Sequence, residues 1–443
     1  MTSLTPLHET YCKWDRTPPS QADVLEGLAQ VVSTPFNNVA RELIQTIQHE
    51  VISSVFGMSR KKSTKLKNNS NIQKFYQYSF DTIQNYGSQF VAPGLRQIIT
   101  KFPNLHASPL TPKQHYFVGA LNGVCGDYLL KQHNPIGLPM VIYDHYGSVQ
   151  KGELNGHVVL FIHGLCMNHL DWSNHQFGGI GEKLLAQRDH NTMLYLNYNT
   201  GRRISSNGRS LANTLEDLIK RNPKITSLSL IGHSMGGLVA RSALFYAKQN
   251  LYQWLHLTEN LVCIASPHHG AALERFSFNI QNKLGRFPVA KLFGHLFNIR
   301  SNGILDLRHG SIRDDDWEYN DARVGFVDDH RKPAPLPSHI HAYLIAGSIE
   351  REKKNKNSRH LFGDYLVSIQ SALGEHPNSR SQLNVPDSHK AIFYGLSHFR
   401  IHHNSSVAEQ IALWFYPFNQ DVSDEQVHEY FIHLDHYDGI ALT

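Results

Sequence analysis

The sequence predicts an α/β protein in which a mostly parallel central sheet is flanked by helices. Three observations carry this expectation. From about residue 138, short apolar runs alternate with helical patterns, which is the rhythm of a parallel sheet whose site lies at the strand C-ends. One of those runs, Leu228 to Ile231, feeds straight into Gly232-His233-Ser234-Met235-Gly236, and a helical pattern, Leu238 to Leu244, follows at once. Residues 1–137 look different: their apolar residues recur at helical spacing.

Taken in order, the helical N-terminal region shows three candidate segments. The first runs from Leu25 to Phe56 and is interrupted by Pro35. The second, Ile72–Leu95, follows a polar basic loop at Ser59–Asn71, and the third is Pro112–Gln132. Such faces normally pack on the core of their own chain; membrane docking is the alternative. The sheet domain spans 138–417. Its expected strands are Met140–Tyr143, His157–Ile162, Met193–Tyr198, Leu228–Ile231, Leu261–Ala265, Ala342–Ala346 and Ala391–Tyr394. A helix is expected over Leu211–Ile219, behind a Ser-Asn-Gly-Arg turn, and another over Val407–Phe415. Residues 271–335 break the rhythm. This insert carries Phe276, Phe278, Phe287, Leu292-Phe293 and Leu296-Phe297, and a long insert beside a site reads as a cap or lid. A tail, 418–443, closes the chain.

Composition narrows the function classes. The chain has 443 residues, 41% of them hydrophobic and 18% charged, enough for one large core. The net charge of +5 is scattered, so nucleic acid is not an expected partner. Local basic runs around Arg60–Lys67 and Arg351–Lys356 read as solvated loops, with peripheral contact at an anionic membrane surface as the sharper option. The four cysteines, Cys12, Cys125, Cys166 and Cys263, form no metal or redox pattern, which favours a reducing, cytoplasmic setting. The first residues show no positive region followed by an apolar one, and no apolar run reaches about 18 residues, so neither a leader nor a spanning helix is expected. His398 and His402 are four apart, but no further ligand stands at a recognisable spacing, so neither a metal nor any other cofactor is expected.

The stretch around Ser234 carries the chemistry. A strand that turns sharply into a helix needs glycine two positions either side of the central residue, because side chains there would clash. Gly232 and Gly236 meet that need, and Ser234 is presented at the positive end of a helix. These residues resemble the α/β-hydrolase superfamily, and more narrowly its lipase and esterase branch. The resemblance implies a Ser-His-Asp/Glu triad in the chain order serine, acid, histidine. Ser234 is then the nucleophile. The base should follow the last strand, where an apolar run and a Gly turn lead to His398; His402 and His403 compete. For the acid, Gly363-Asp364-Tyr365-Leu366-Val367-Ser368 resembles the Asp-Gly-x-Val-x-x-x-Ser segment of several lipases. Asp364 and Val367 match that pattern, whereas Tyr365 stands where Gly is usual. Asp306 and Asp314–Asp316 are the alternatives and fall inside the insert.

Two backbone N–H groups should meet the oxyanion: that of Met235, and that of Leu165 in the family's His-Gly turn, here His163-Gly164-Leu165-Cys166. His163 is expected to brace this loop, Gly164 to let it bend and Cys166 to pack. Pro267-His268-His269-Gly270 resembles the Pro-His-x-Gly turn of lipases and of GPI inositol-deacylase-like hydrolases. With His233, its histidines are expected to shape the site wall. The expected function is cleavage of carboxylic esters, apolar or lipid in kind, through an acyl-enzyme. An acyltransferase using the same triad, and a non-catalytic lipid- or protein-binding scaffold, are the alternatives.

Overall fold

A computed structural model describes residues 17–33, 91–172, 179–187, 191–271, 301–317, 331–350 and 363–416. Outside the described residues lie most of the first two N-terminal segments, both basic runs, the tail after 417, and all the phenylalanines named above in the insert.

The chain runs α1 (Gln21–Ser33), α2 (Val91–Lys101), α3 (Pro112–Lys131), β1 (Val141–Asp144), β2 (Asn155–Ile162), α4 (Ile180–Gln187), β3 (Asn191–Asn197) and α5 (Ile204–Arg221). It continues through β4 (Lys224–His233), α6 (Met235–Gln249), β5 (Thr258–Ile264), β6 (His341–Ser348), β7 (Lys390–Tyr394) and α7 (Ser405–Phe415). Each run read as a strand forms one. They make a single sheet in the order β1-β3-β2-β4-β5-β6-β7, parallel throughout except for β1, which pairs antiparallel with β3. The chain leaves β2 for β3 on one side and returns to β4 on the other. The C-ends of β2 and β4 are therefore neighbours at a switch point, where α/β sheets place their ligands.

The central strands are largely apolar because both sheet faces are covered, with the buried Ser229 as a polar exception in β4. Along β2, Val158, Leu160 and Ile162 point into one core, while Val159 and Phe161 point into the other. The first core also takes Leu25 and Leu28 of α1, Val118 and Leu121 of α3, and the buried sides of α5 and α6. The second takes Ile180 and Leu184 of α4 and Val407 and Ile411 of α7. The described N-terminal helices thus share the core of the sheet. Among the described residues no helix is long and apolar enough to cross a membrane.

Helix α3 is built to lie close. Thr111 and Gln114 form a reciprocal capping box with Pro112 behind it. Gly119, Gly123 and Gly126 then share one face. A Cβ at 119 would come 2.8 Å from the Met167 carbonyl oxygen, at 123 2.3 Å from Cys166 Sγ, and at 126 1.9 Å from Asn199 Oδ1. The helix therefore presses directly on the loops that leave β2 and β3.

Two expectations need correction. The Ser-Asn-Gly-Arg segment is not a turn: residues 206–209 lie inside α5, which begins at Ile204. Gly208 is there for packing, since a Cβ would sit 2.1 Å from Ser242 Oγ on α6. The second helical segment does not end at Leu95, because α2 continues to Lys101. Pro93 falls in its first turn, where a missing N–H breaks no ladder bond. Leu95 and Ile98 bury its inner face.

Candidate active site

Ser234 stands between the end of β4 and the start of α6 with φ 54° and ψ −122°. An L-residue rarely adopts this backbone, and here the surroundings enforce it. The Ser234 N–H donates to the Ile264 carbonyl at 2.8 Å, which fixes the turn against β5. A Cβ on Gly232 would lie 2.4 Å from Gly237 N, and one on Gly236 2.1 Å from the Ile162 carbonyl oxygen. Both glycines are sterically required, and their small size lets α6 start against the end of β2.

His398, Asp364 and Ser234 come together from three strand ends. His398 Nε2 is 2.8 Å from Ser234 Oγ, and His398 Nδ1 is 2.7 Å from Asp364 Oδ2. A carboxylate only accepts, so the proton sits on Nδ1 and Nε2 is free to accept from the hydroxyl. Exposure is 4% for Ser234, 1% for Asp364 and 2% for His398, so their interactions act in a low dielectric. The other Asp364 oxygen accepts from the N–H groups of Leu366 (3.0 Å) and Val367 (2.9 Å), which orients the carboxylate. That turn forces Tyr365 to φ 81°, the left-handed conformation that Gly would adopt freely. Tyr365 accepts it with 53% of its surface exposed. The other acids are engaged elsewhere: Asp306 takes Arg203 and the Ile204 N–H, and Asp314 takes Arg209.

Leu165 and Met235 sit on adjacent strand ends. A Cβ on Gly164 would come 3.1 Å from Ser234 Cβ, so the loop after β2 runs alongside the serine. Met235 opens α6, and its N–H belongs to the first-turn amides that have no partner four residues back. The loop after β2 is braced from several sides. His163 Nδ1 donates to the Gly164 carbonyl at 2.9 Å, and its ring stacks on Tyr198. The Tyr198 hydroxyl donates to the His163 carbonyl at 2.8 Å, and Thr200 Oγ1 accepts from the Cys166 N–H at 3.2 Å. Burial holds His163 neutral and lowers its pKa to about 4. Cys166 turns the chain with φ 61° and packs against the core, and burial raises its thiol well above the usual range.

The remaining histidines surround this centre. His233 Nε2 donates to the His398 carbonyl at 2.9 Å, and its ring stacks on His402 at 4.1 Å. His268 Nδ1 accepts from Arg241 at 3.2 Å; burial, with that guanidinium beside it, drives its pKa well down. His269 Nδ1 accepts from Arg331 at 3.2 Å, and burial lowers its pKa to about 4. Both rings are therefore tied to arginines, while the imidazole on Ser234 is that of His398. Sequence reasoning missed Tyr198, Thr200, Arg241 and Trp172, whose ring meets His233 edge-on. The polar cluster Asn197–Gly201 at a strand C-end was a usable signal for the first two. The others are fixed only by tertiary contact.

A family described as "PGAP1-like alpha/beta domain" matches residues 153–376, just over half of the chain. Among solved structures, the mature lipase BlEst2 of Bacillus licheniformis is 16% identical with a TM-score of 0.36, covering 62% of this chain and 94% of that one. The product of gene lin2722 of Listeria innocua is 14% identical with a TM-score of 0.34, covering 61% and 96%. The peroxisomal α/β-hydrolase Lpx1 of Saccharomyces cerevisiae is 14% identical with a TM-score of 0.33, covering 68% and 90%. Comparison with curated proteins gives no match.

Proposed function

The chain belongs to the family of PGAP1-like α/β domains, and from that premise we propose that it is a serine hydrolase that cleaves carboxylic esters of apolar or lipid alcohols and acids. The observation that carries the reading is the buried relay Ser234–His398–Asp364, with contacts of 2.8 and 2.7 Å. In the proposed reaction Ser234 Oγ attacks the ester carbonyl carbon while His398 Nε2 takes its proton. The carbonyl oxygen becomes an oxyanion and is met by the N–H groups of Leu165 and Met235. Asp364 holds the ring in the required tautomer and stabilises the imidazolium. His398 then protonates the departing alcohol, and the acyl group stays on Ser234. Water, deprotonated by the same Nε2, attacks the acyl carbon; the acyl–Oγ bond breaks as His398 returns that proton to Ser234 Oγ, and the acid leaves. Every step is carried by residues of this chain.

A panel of p-nitrophenyl esters of graded chain length, followed by phospholipids, tests the reading. Release of free acid, with kcat/KM rising with acyl length, is the expected result. Alkyl ester appearing in place of acid when an alcohol is added would reassign the chain as an acyltransferase. No turnover of any ester would remove the hydrolase reading.

A further inference from the structure

We propose that His233 is a positioning residue of this site, a buried ring whose Nε2–H ties the loop carrying the base to the nucleophile elbow. The proposal rests on the roles given above to Ser234, His398 and Asp364. The hydrogen bond to Asp364 fixes the direction of the His398 ring, but the reach of Nε2 to Ser234 also depends on where the backbone of residue 398 lies. That backbone is held on both sides. The His398 N–H donates to the Asp364 carbonyl at 3.0 Å, and the His398 carbonyl accepts from His233 Nε2 at 2.9 Å.

The direction of the second bond assigns a tautomer. A carbonyl oxygen has no proton to give, so the proton is on His233 Nε2. The opposite edge of the ring faces the loop after β2: a Cβ on Gly164 would stand 3.2 Å from His233 Nδ1. The ring is fully buried, stacked on His402 at 4.1 Å and 27°, and met edge-on by Trp172 at 6.5 Å and 88°. It is also joined by one peptide bond to Ser234, whose backbone is already in a rare conformation. One side chain thus bonds to the base loop, faces the loop of the candidate oxyanion donor and is covalently next to the nucleophile. Without the Nε2–H, the His398 carbonyl is left unpaired inside the protein and residues 396–403 lose a tether. A misplacement of about 1 Å at the base is enough to cost on the order of 100-fold.

Two variants separate tethering from packing. His233→Phe keeps a ring against His402 and Trp172 but has no donor; His233→Gln keeps an N–H donor at comparable reach but has no ring. The readouts are the rate of covalent labelling by a fluorophosphonate, kcat, KM and the melting temperature. Tethering predicts that His233→Phe loses about 10- to 100-fold in labelling rate and in kcat with KM little changed. It also predicts that His233→Gln labels several-fold faster than His233→Phe. The reverse order, or equal rates in all three proteins, overturns the proposal. Failure of the wild type to label, with Ser234→Ala indistinguishable from it, is a different outcome and removes the underlying hydrolase reading. Nitrogen NMR of the imidazoles in the wild-type full chain tests the tether without any turnover. A protonated Nε2 on His233 is expected, and an Nε2 without a proton overturns the proposal even if neither variant folds.

Discussion

Gly123→Ala is the most informative single-atom perturbation, because two effects of opposite sign meet there. In an exposed helix the change favours folding by about 1 kcal/mol through helix propensity. At 123 the added Cβ would lie 2.3 Å from Cys166 Sγ, 2.8 Å from Cys166 N and 2.9 Å from Cys166 Cα. The sulfur can rotate, but the two backbone atoms cannot yield without moving the loop that carries Gly164 and Leu165. Overpacking of this kind costs about 1–3 kcal/mol, so the net change in stability is about 0–2 kcal/mol unfavourable. The larger effect falls on catalysis. If the Leu165 N–H is displaced from the developing oxyanion, kcat should fall by about 100-fold or more. The assay is kcat and KM on p-nitrophenyl butyrate beside thermal melts. Gly94→Ala in α2 is the control, because nothing lies within 4 Å of its Cβ position and it should gain stability only. A Gly123→Ala protein that is both more stable and fully active would refute the claim that α3 sets the position of this loop.

Asp364→Asn keeps the shape but turns an amide toward His398 Nδ1, selecting the wrong tautomer; kcat on the same ester should fall by about 10⁴-fold, and a mild loss would show that another acid serves. Tyr365→Gly removes a left-handed non-glycine residue at φ 81° whose side chain is half exposed. Relief of about 1–2 kcal/mol outweighs an unfolded-state entropy cost of about 0.5–1 kcal/mol, so the melting temperature should rise; a fall contradicts the strain argument. The pH dependence follows from buried neutral rings: His115, His163 and His269 titrate at about 4 and His169 at about 3 when folded, against 6.5 when exposed, because burial disfavours their charged forms. The unfolded chain therefore takes up these protons first, so their stabilisation is complete above about pH 6.5 and is lost as pH falls toward 4. Urea midpoints should drop steeply across that window, and a flat profile would contradict the burial.

The strands were legible because β2, β4 and β5 are buried on both faces and read as mostly apolar runs, broken in β4 by the small, buried Ser229. Ser234 was legible for a related reason: the turn needs Gly232 and Gly236 for local steric reasons that any sequence must obey. The Gly208 segment misled because glycine meets two different needs. It looks like a turn residue in one dimension, yet it serves a close approach of α5 to Ser242 in three. Gly119, Gly123 and Gly126 recur at helical spacing and could have been read as a contact face, but nothing in the pattern names Cys166 or Asn199 as what they touch. The His233–His398 contact joins residues 165 positions apart and depends on where the loop after β7 lands, which no local pattern fixes.

The proposed reaction makes Ser234 a nucleophile driven by His398. Fluorophosphonate labelling of the full-length protein, with the modified peptide identified by mass spectrometry, tests it most directly. The account predicts stoichiometric modification of Ser234, none in Ser234→Ala, and labelling slowed by several orders of magnitude in His398→Ala with the fold retained. Modification of a different residue, or equal labelling of wild type and Ser234→Ala, would contradict it.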